Sequence, residues 1–253
     1  MANWSDPRQD NRVGADTSYH PSVGVPDASY DAGLRAYMLK VYNYMASGVL
    51  WTGIVAYVIG NSEAVNLLLS PTGGLSMLGW IAALSPIAFV LLMGAGMNRL
   101  SEGGMKVAFY AFATLIGVSL STIFVRFTGS SIAETFFATA AAFAGLSIWG
   151  YTTKKDLSGW GSFLIMGVWG LLIASLLNYF VFKSGITAMA ISGLGVLVFA
   201  GLTAYDTQRI KSMYFQVAGS DMMGKVAIMG ALSLYLDFVN MFQFLLSFMG
   251  NND

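Results

Sequence analysis

After about 33 polar residues, the chain becomes a series of long apolar stretches separated by short polar interruptions. Seven stretches stand out, at about 36–60, 76–97, 106–127, 132–151, 160–182, 186–209 and 225–249. Each is near the roughly 20 residues that a helix needs to cross the hydrocarbon layer of a bilayer. Gly73-Gly74, Gly103-Gly104, Gly129-Ser130-Ser131 and Ser158-Gly159 punctuate the connections. Pro86 falls inside the second stretch, where it removes one backbone donor and predicts a kink. The pattern predicts an all-α membrane protein with seven transmembrane helices. It also predicts a disordered polar N-terminal tail over residues 1–33 and a seven-helix transmembrane domain over residues 34–253.

Composition narrows the function. Hydrophobic residues make up 56% of the chain and charged ones only 10%, far below the roughly 25% of soluble domains. A net charge of zero suggests no nucleic-acid partner. Cysteine is absent, which removes disulfides and thiolate metal sites, and the single histidine, His20, lies in the tail without convergent partners. No zincin, P-loop or dinucleotide fingerprint occurs, and no GxxxG, so no cofactor is expected and the chain does not read as an enzyme.

Basic residues give an orientation. With the tail on the cytoplasmic side, eleven of the thirteen basic residues fall inside, leaving Arg126 and Lys183 outside. The positive-inside rule then predicts a cytoplasmic N-terminus and an external C-terminus.

Asp237 is the residue that demands a role. It sits in the last apolar stretch with no other charge between residues 226 and 249. That stretch spans roughly 36 Å as helix, so the carboxylate lies near mid-membrane, where it costs at least ~2.5 kcal/mol if unpaired. Asp206 is its candidate partner. Nothing breaks a helix between Asp206 and Gly219, so the last two spans read as a helical hairpin turning at Ala218-Gly219-Ser220-Asp221. Asp206 is about 14 residues from that turn and Asp237 about 16, which places them within about 3 Å in depth. Ser233, Asn240 and Gln243 share a helical face with Asp237, and Thr203 precedes Asp206 by one turn. These are candidate pore-lining residues. The alternative is that Asp206 pairs with Arg209 at i, i+3 near the interface, with Asp237 satisfied by Asn240 and a buried water.

The decapeptide Ala231-Leu-Ser-Leu-Tyr-Leu-Asp-Phe-Val-Asn240, followed by Met241-Phe242, resembles the last-helix signature of the Bax inhibitor (transmembrane BAX inhibitor motif) family, bacterial type. Tyr205-Asp206 with Gln208-Arg209-Ile210 is similar to its sixth-helix signature, and the resemblance covers about residues 35–249. It implies a helical bundle with the last helix central, in a bacterial inner (plasma) membrane. It also implies a pH-sensing pair, Asp206 and Asp237, at the cytoplasmic end of a calcium-leak pore, with Arg99 as a latch on one acid.

Two carboxylates in a low dielectric cannot both ionise cheaply and so share a proton. With the proton held, the hairpin is clamped. Without it, two negative charges repel and attract a cation. Two carboxylates fall short of the roughly six to eight oxygens that calcium takes, so a transient Ca2+ contact at Asp206 and Asp237 would be weak and passage feasible. A proton-coupled carrier could use the same pair. The alternative from another class is a membrane-embedded regulator that binds a protease or another membrane protein, with the tail as its handle.

Overall fold

Backbone groups removed from water must pair within their own segment, which is why uninterrupted apolar sequence becomes helix here. The computed structural model describes residues 28–71, 74–96 and 99–250. Among them it holds eight α-helices: α1 (Ala28–Gly60), α2 (Met77–Gly96), α3 (Glu102–Leu120), α4 (Ile123–Arg126), α5 (Gly129–Thr152), α6 (Ser158–Leu177), α7 (Gly185–Val217) and α8 (Met223–Met249). A π-helical turn, Asn178–Phe182, prolongs α6, and α2 runs on through Pro86. Local chemistry sets several starts. Ser101, Thr128 and Ser184 accept hydrogen bonds from the N–H groups of Gly104, Ser131 and Thr187. Each satisfies an orphan donor of a first turn.

The count of seven transmembrane helices is corrected. Among the described residues five helices are long and apolar enough to cross a membrane: Glu102–Arg126, Gly129–Thr152, Ser158–Phe182, Gly185–Val217 and Met223–Met249. The second predicted span is α2, which counts only as a shorter apolar helix over Met77–Leu91, a rise of about 22 Å. The first fails on composition. Arg35 and Lys40 interrupt the first half of α1, and Asn43, Tyr44, Ser47, Trp51, Thr52 and Tyr57 dilute the second. The predicted placement of the N-terminus inside and the C-terminus outside loses its basis, because it alternates basic loops across seven crossings. The predicted tail lies outside the described residues as far as residue 27, and residues 28–33 are the first turns of α1.

Of the five membrane-length helices, α8 is the most deeply buried. It packs against α7 most extensively and against α1, α5 and α3 as well. Lipid tails are as apolar as leucine, so close packing and hydrogen bonds must hold such a helix in place. Tyr235 supplies both. Its ring is edge-on to Phe109 and to Phe112, each at 5.8 Å, and its hydroxyl lies 2.5 Å from Thr52 Oγ1. Thr52 in turn donates to the Ala113 carbonyl, so α1, α3 and α8 meet at one point. One turn further along α8, Phe238 meets Phe136 and Phe143 of α5, both at 5.6 Å.

A Tyr235→Ala protein should lose about 3–5 kcal/mol of stability in detergent unfolding, as for other buried aromatic truncations. Tyr235→Phe should lose only about 1 kcal/mol, the worth of one hydrogen bond. Equal losses would mean that the hydroxyl, not the ring, carries the junction.

Candidate functional site: two buried acids in a helical hairpin

The α7–α8 hairpin turns where the sequence predicts. α7 ends at Val217, Gly219 takes the left-handed φ of +76° that favours glycine, and α8 begins at Met223. Two close approaches set the register between the arms. Gly230 packs on Ile210, and Gly195 lies against the ring of Phe244. With those positions opposed, Asp237 is level with Thr203 and one turn from Asp206, an offset of about 4.5 Å along the hairpin.

Their surroundings differ. Asp206 is 8% exposed, and its Oδ1 lies 3.7 Å from Arg209 Nη1, the i, i+3 cation on its own helix. Asp237 is 4% exposed, and its fully buried Oδ2 accepts no hydrogen bond among the described residues. One acid therefore has a cation beside it, while the other is buried without one. An orphaned acceptor of this kind costs of order 1–3 kcal/mol, more if charged.

The remaining candidates divide. Thr203 is fully buried, and its hydroxyl donates to Phe199 O at 2.8 Å. Asn240 is partly buried and donates to Leu236 O at 2.8 Å rather than to Asp237. Ser233 is half-buried one turn before Asp237. Gln243 is exposed and lines a cavity of about 200 Å³ with Arg126 and Ser247, about 9 Å along α8 from Asp237. Arg99 is exposed in the turn between α2 and α3, and the ion pair to Asp206 belongs to Arg209. Among the described residues no group of three or more His, Cys, Asp or Glu gathers as a metal site.

Several contacts around the acids escaped the sequence. Thr207, beside Asp206, donates to Thr203 O at 2.7 Å and to Ser147 Oγ of α5 at 3.3 Å. Its i+4 spacing from Thr203 was the available signal; Ser147 offered none. Glu102, at the start of α3, bridges Lys40 of α1 at 3.1 Å and Lys106 at 3.0 Å. Its carboxylate also lies against Gly224 in the first turn of α8, where the helix dipole favours a negative charge. Gln208 belongs to the quoted signature, yet its role appears only in three dimensions. It accepts from Leu157 N–H and donates to Lys155 O, both at 2.8 Å.

A bundle of membrane-length helices with two buried acids on its central hairpin defines a class, the polytopic membrane proteins with an internal ionisable site. Comparison with known sequences gives the family. The model described as "Inhibitor of apoptosis-promoting Bax1" matches residues 34–253, and the chain belongs to this Bax inhibitor family. It is 47% identical over 232 residues to an uncharacterized protein of Caulobacter vibrioides, covering 89% of this chain and 92% of that one. It is 44% identical over 222 residues to the inner membrane protein YbhL of Escherichia coli (strain K12), covering 87% and 93%. An uncharacterized protein of Rickettsia prowazekii is 45% identical over 224 residues, covering 88% and 92%. The chain is an integral membrane protein, and its family points to a membrane-embedded regulatory or transport role.

Because Arg209 is largely exposed, its ion pair with Asp206 is screened by solvent. Arg209→Gln should change stability by less than about 1 kcal/mol. Asp237→Asn should fold and be no less stable than the parent, since it removes a buried acceptor that can carry charge. Thermal unfolding in detergent reads both, and a loss above about 3 kcal/mol in either would show a structural ion pair instead.

Proposed function

We propose that this protein is a pH-sensitive calcium leak of a bacterial inner membrane, gated by Asp206 and Asp237 acting as one titrating pair. The observation that supports it most is the placement of two buried carboxylates one helical turn apart on facing arms of the hairpin, with a cation beside only one. Membership of the Bax inhibitor family and the inner-membrane name of the Escherichia coli relative support the setting.

In this reading the closed state holds one proton between the acids. Deprotonation leaves two negative charges in a region too dry to screen them, and their repulsion works against the α7–α8 contact. The same two charges then attract a divalent cation. With only two carboxylates at the narrow point, calcium binds weakly and moves on. Thr203, Ser233, Asn240 and Gln243 provide polar positions along the route once the hairpin loosens. In that case Thr203 and Asn240 exchange their intrahelical bonds for water or the ion.

Calcium entry into vesicles containing the purified protein should rise as pH is raised through the titration of the pair. Asp206→Asn and Asp237→Asn should each flatten that profile. Profiles unaltered in both variants would reject the gate.

A second reading is carried by the family's description as an inhibitor of a cell-death protein: a membrane-embedded regulator that binds a protease or another membrane protein. Deleting residues 1–27, which precede α1, separates the two. Intact flux with loss of a cellular phenotype would favour binding, and loss of flux would favour the leak.

A further inference from the structure

Two cavities of unlike character adjoin at the end of the bundle that carries Arg209. One, of about 310 Å³, is a trough between α5 and α6 walled by Leu146, Trp149, Trp160 and Leu164 and floored by Ala200 and Ala204 of α7. The other, of about 340 Å³, is polar and is lined by Lys154, Lys155, Ser158, Gln208 and Arg209. Tyr205, Lys155 and Asp156 line both, so the two share a wall.

The arrangement is built rather than incidental. The two hydrogen bonds of Gln208 pin the 155–157 loop across α7 and so hold Lys155 over the junction. Small residues open the trough: with alanine at 200 and 204 and glycine at 201, α7 fills none of the space between the tryptophans. Trp149 and Trp160 are both exposed, which suits aromatic rings at the level of lipid head groups. Lys154 and Lys155 make no ion pair among the described residues. The one acid in the lining, Asp156, is occupied. The Ser158 hydroxyl and N–H hold its carboxyl below the usual range, the N–H at 2.9 Å.

We propose that the adjoining cavities bind an anionic phospholipid, with its phosphate on Lys154, Lys155 and Arg209 and one acyl chain in the trough between α5 and α6. Three cations facing one engaged carboxylate match a phosphodiester, and the arginine fork suits its oxygens. A free phosphate would satisfy the polar cavity alone and leave the apolar trough unused; a phospholipid uses both. The proposal is independent of the calcium reading, although the two sites meet at the Arg209–Asp206 ion pair. Arg209 also pairs with Asp206, so a bound head group and that acid compete for one guanidinium.

The test is native mass spectrometry of the full chain, released from vesicles of equal phosphatidylglycerol and phosphatidylcholine. The parent should retain phosphatidylglycerol over phosphatidylcholine by about tenfold. The exposed double variant Lys154→Gln/Lys155→Gln should lose most of that preference. Ala200→Phe, which fills the trough and leaves every cation in place, should lose the retained lipid. Excess inorganic phosphate should displace nothing. Equal retention of the two lipids by the parent, full selectivity in the lysine variant, unchanged retention in Ala200→Phe, or displacement by phosphate would each overturn the assignment.

Discussion

A carboxylate in the middle of a membrane helix has to be reconciled with a medium that does not solvate it. In this protein Asp237 meets that demand by occupying the most buried helix, where lipid never touches it. Much of the architecture follows. If α8 is to hide Asp237, other helices must surround it, and α7, α1, α5 and α3 do. Their contacts are aromatic and close. Tyr235 locks α8 to α1 and α3, while Phe238 does so toward α5.

The hairpin turns this burial into chemistry. A single glycine-led turn brings α7 back along α8, and close contacts at Gly230 and Gly195 hold the two arms in register. That register sets Asp206 one turn from Asp237 along the hairpin. Asp206 then keeps one side near the rim, where Arg209 reaches it. The pair is consequently asymmetric. Asp206, with its cation, lies nearer the Arg209 end, and Asp237 lies about a turn deeper. The same rim holds Gln208, which fixes the loop between α5 and α6, and Glu102, which ties α1 and α3 to the start of α8. These ion pairs, the loop and the hairpin turn gather at one end of the bundle.

The hairpin could be read from sequence because its signals are local: an unbroken run from Asp206, a glycine at 219, and a charge alone among apolar residues at 237. The family signatures lie on the same two helices. The number of membrane-length helices could not be read, because an apolar impression over 25 residues hides how far Asn43, Ser47 and Thr52 dilute α1. In the bundle, Ser47 lies 2.8 Å from the Tyr110 hydroxyl and Thr52 serves Tyr235, so polarity there answers to neighbours over 60 residues away. The roles of Glu102, Ser147 and Gln208 were hidden for the same reason. Each acts across helices, and no periodicity along one helix records that.

Coupling between the two acids can be read directly by infrared spectroscopy of the carboxyl groups in the membrane-reconstituted protein, titrated over pH. One interacting unit predicts that Asp206→Asn displaces the titration of Asp237, and that Asp237→Asn displaces that of Asp206. If each remaining acid titrates in its single variant as it does in the parent, the two are independent and the pair does not exist as a functional element.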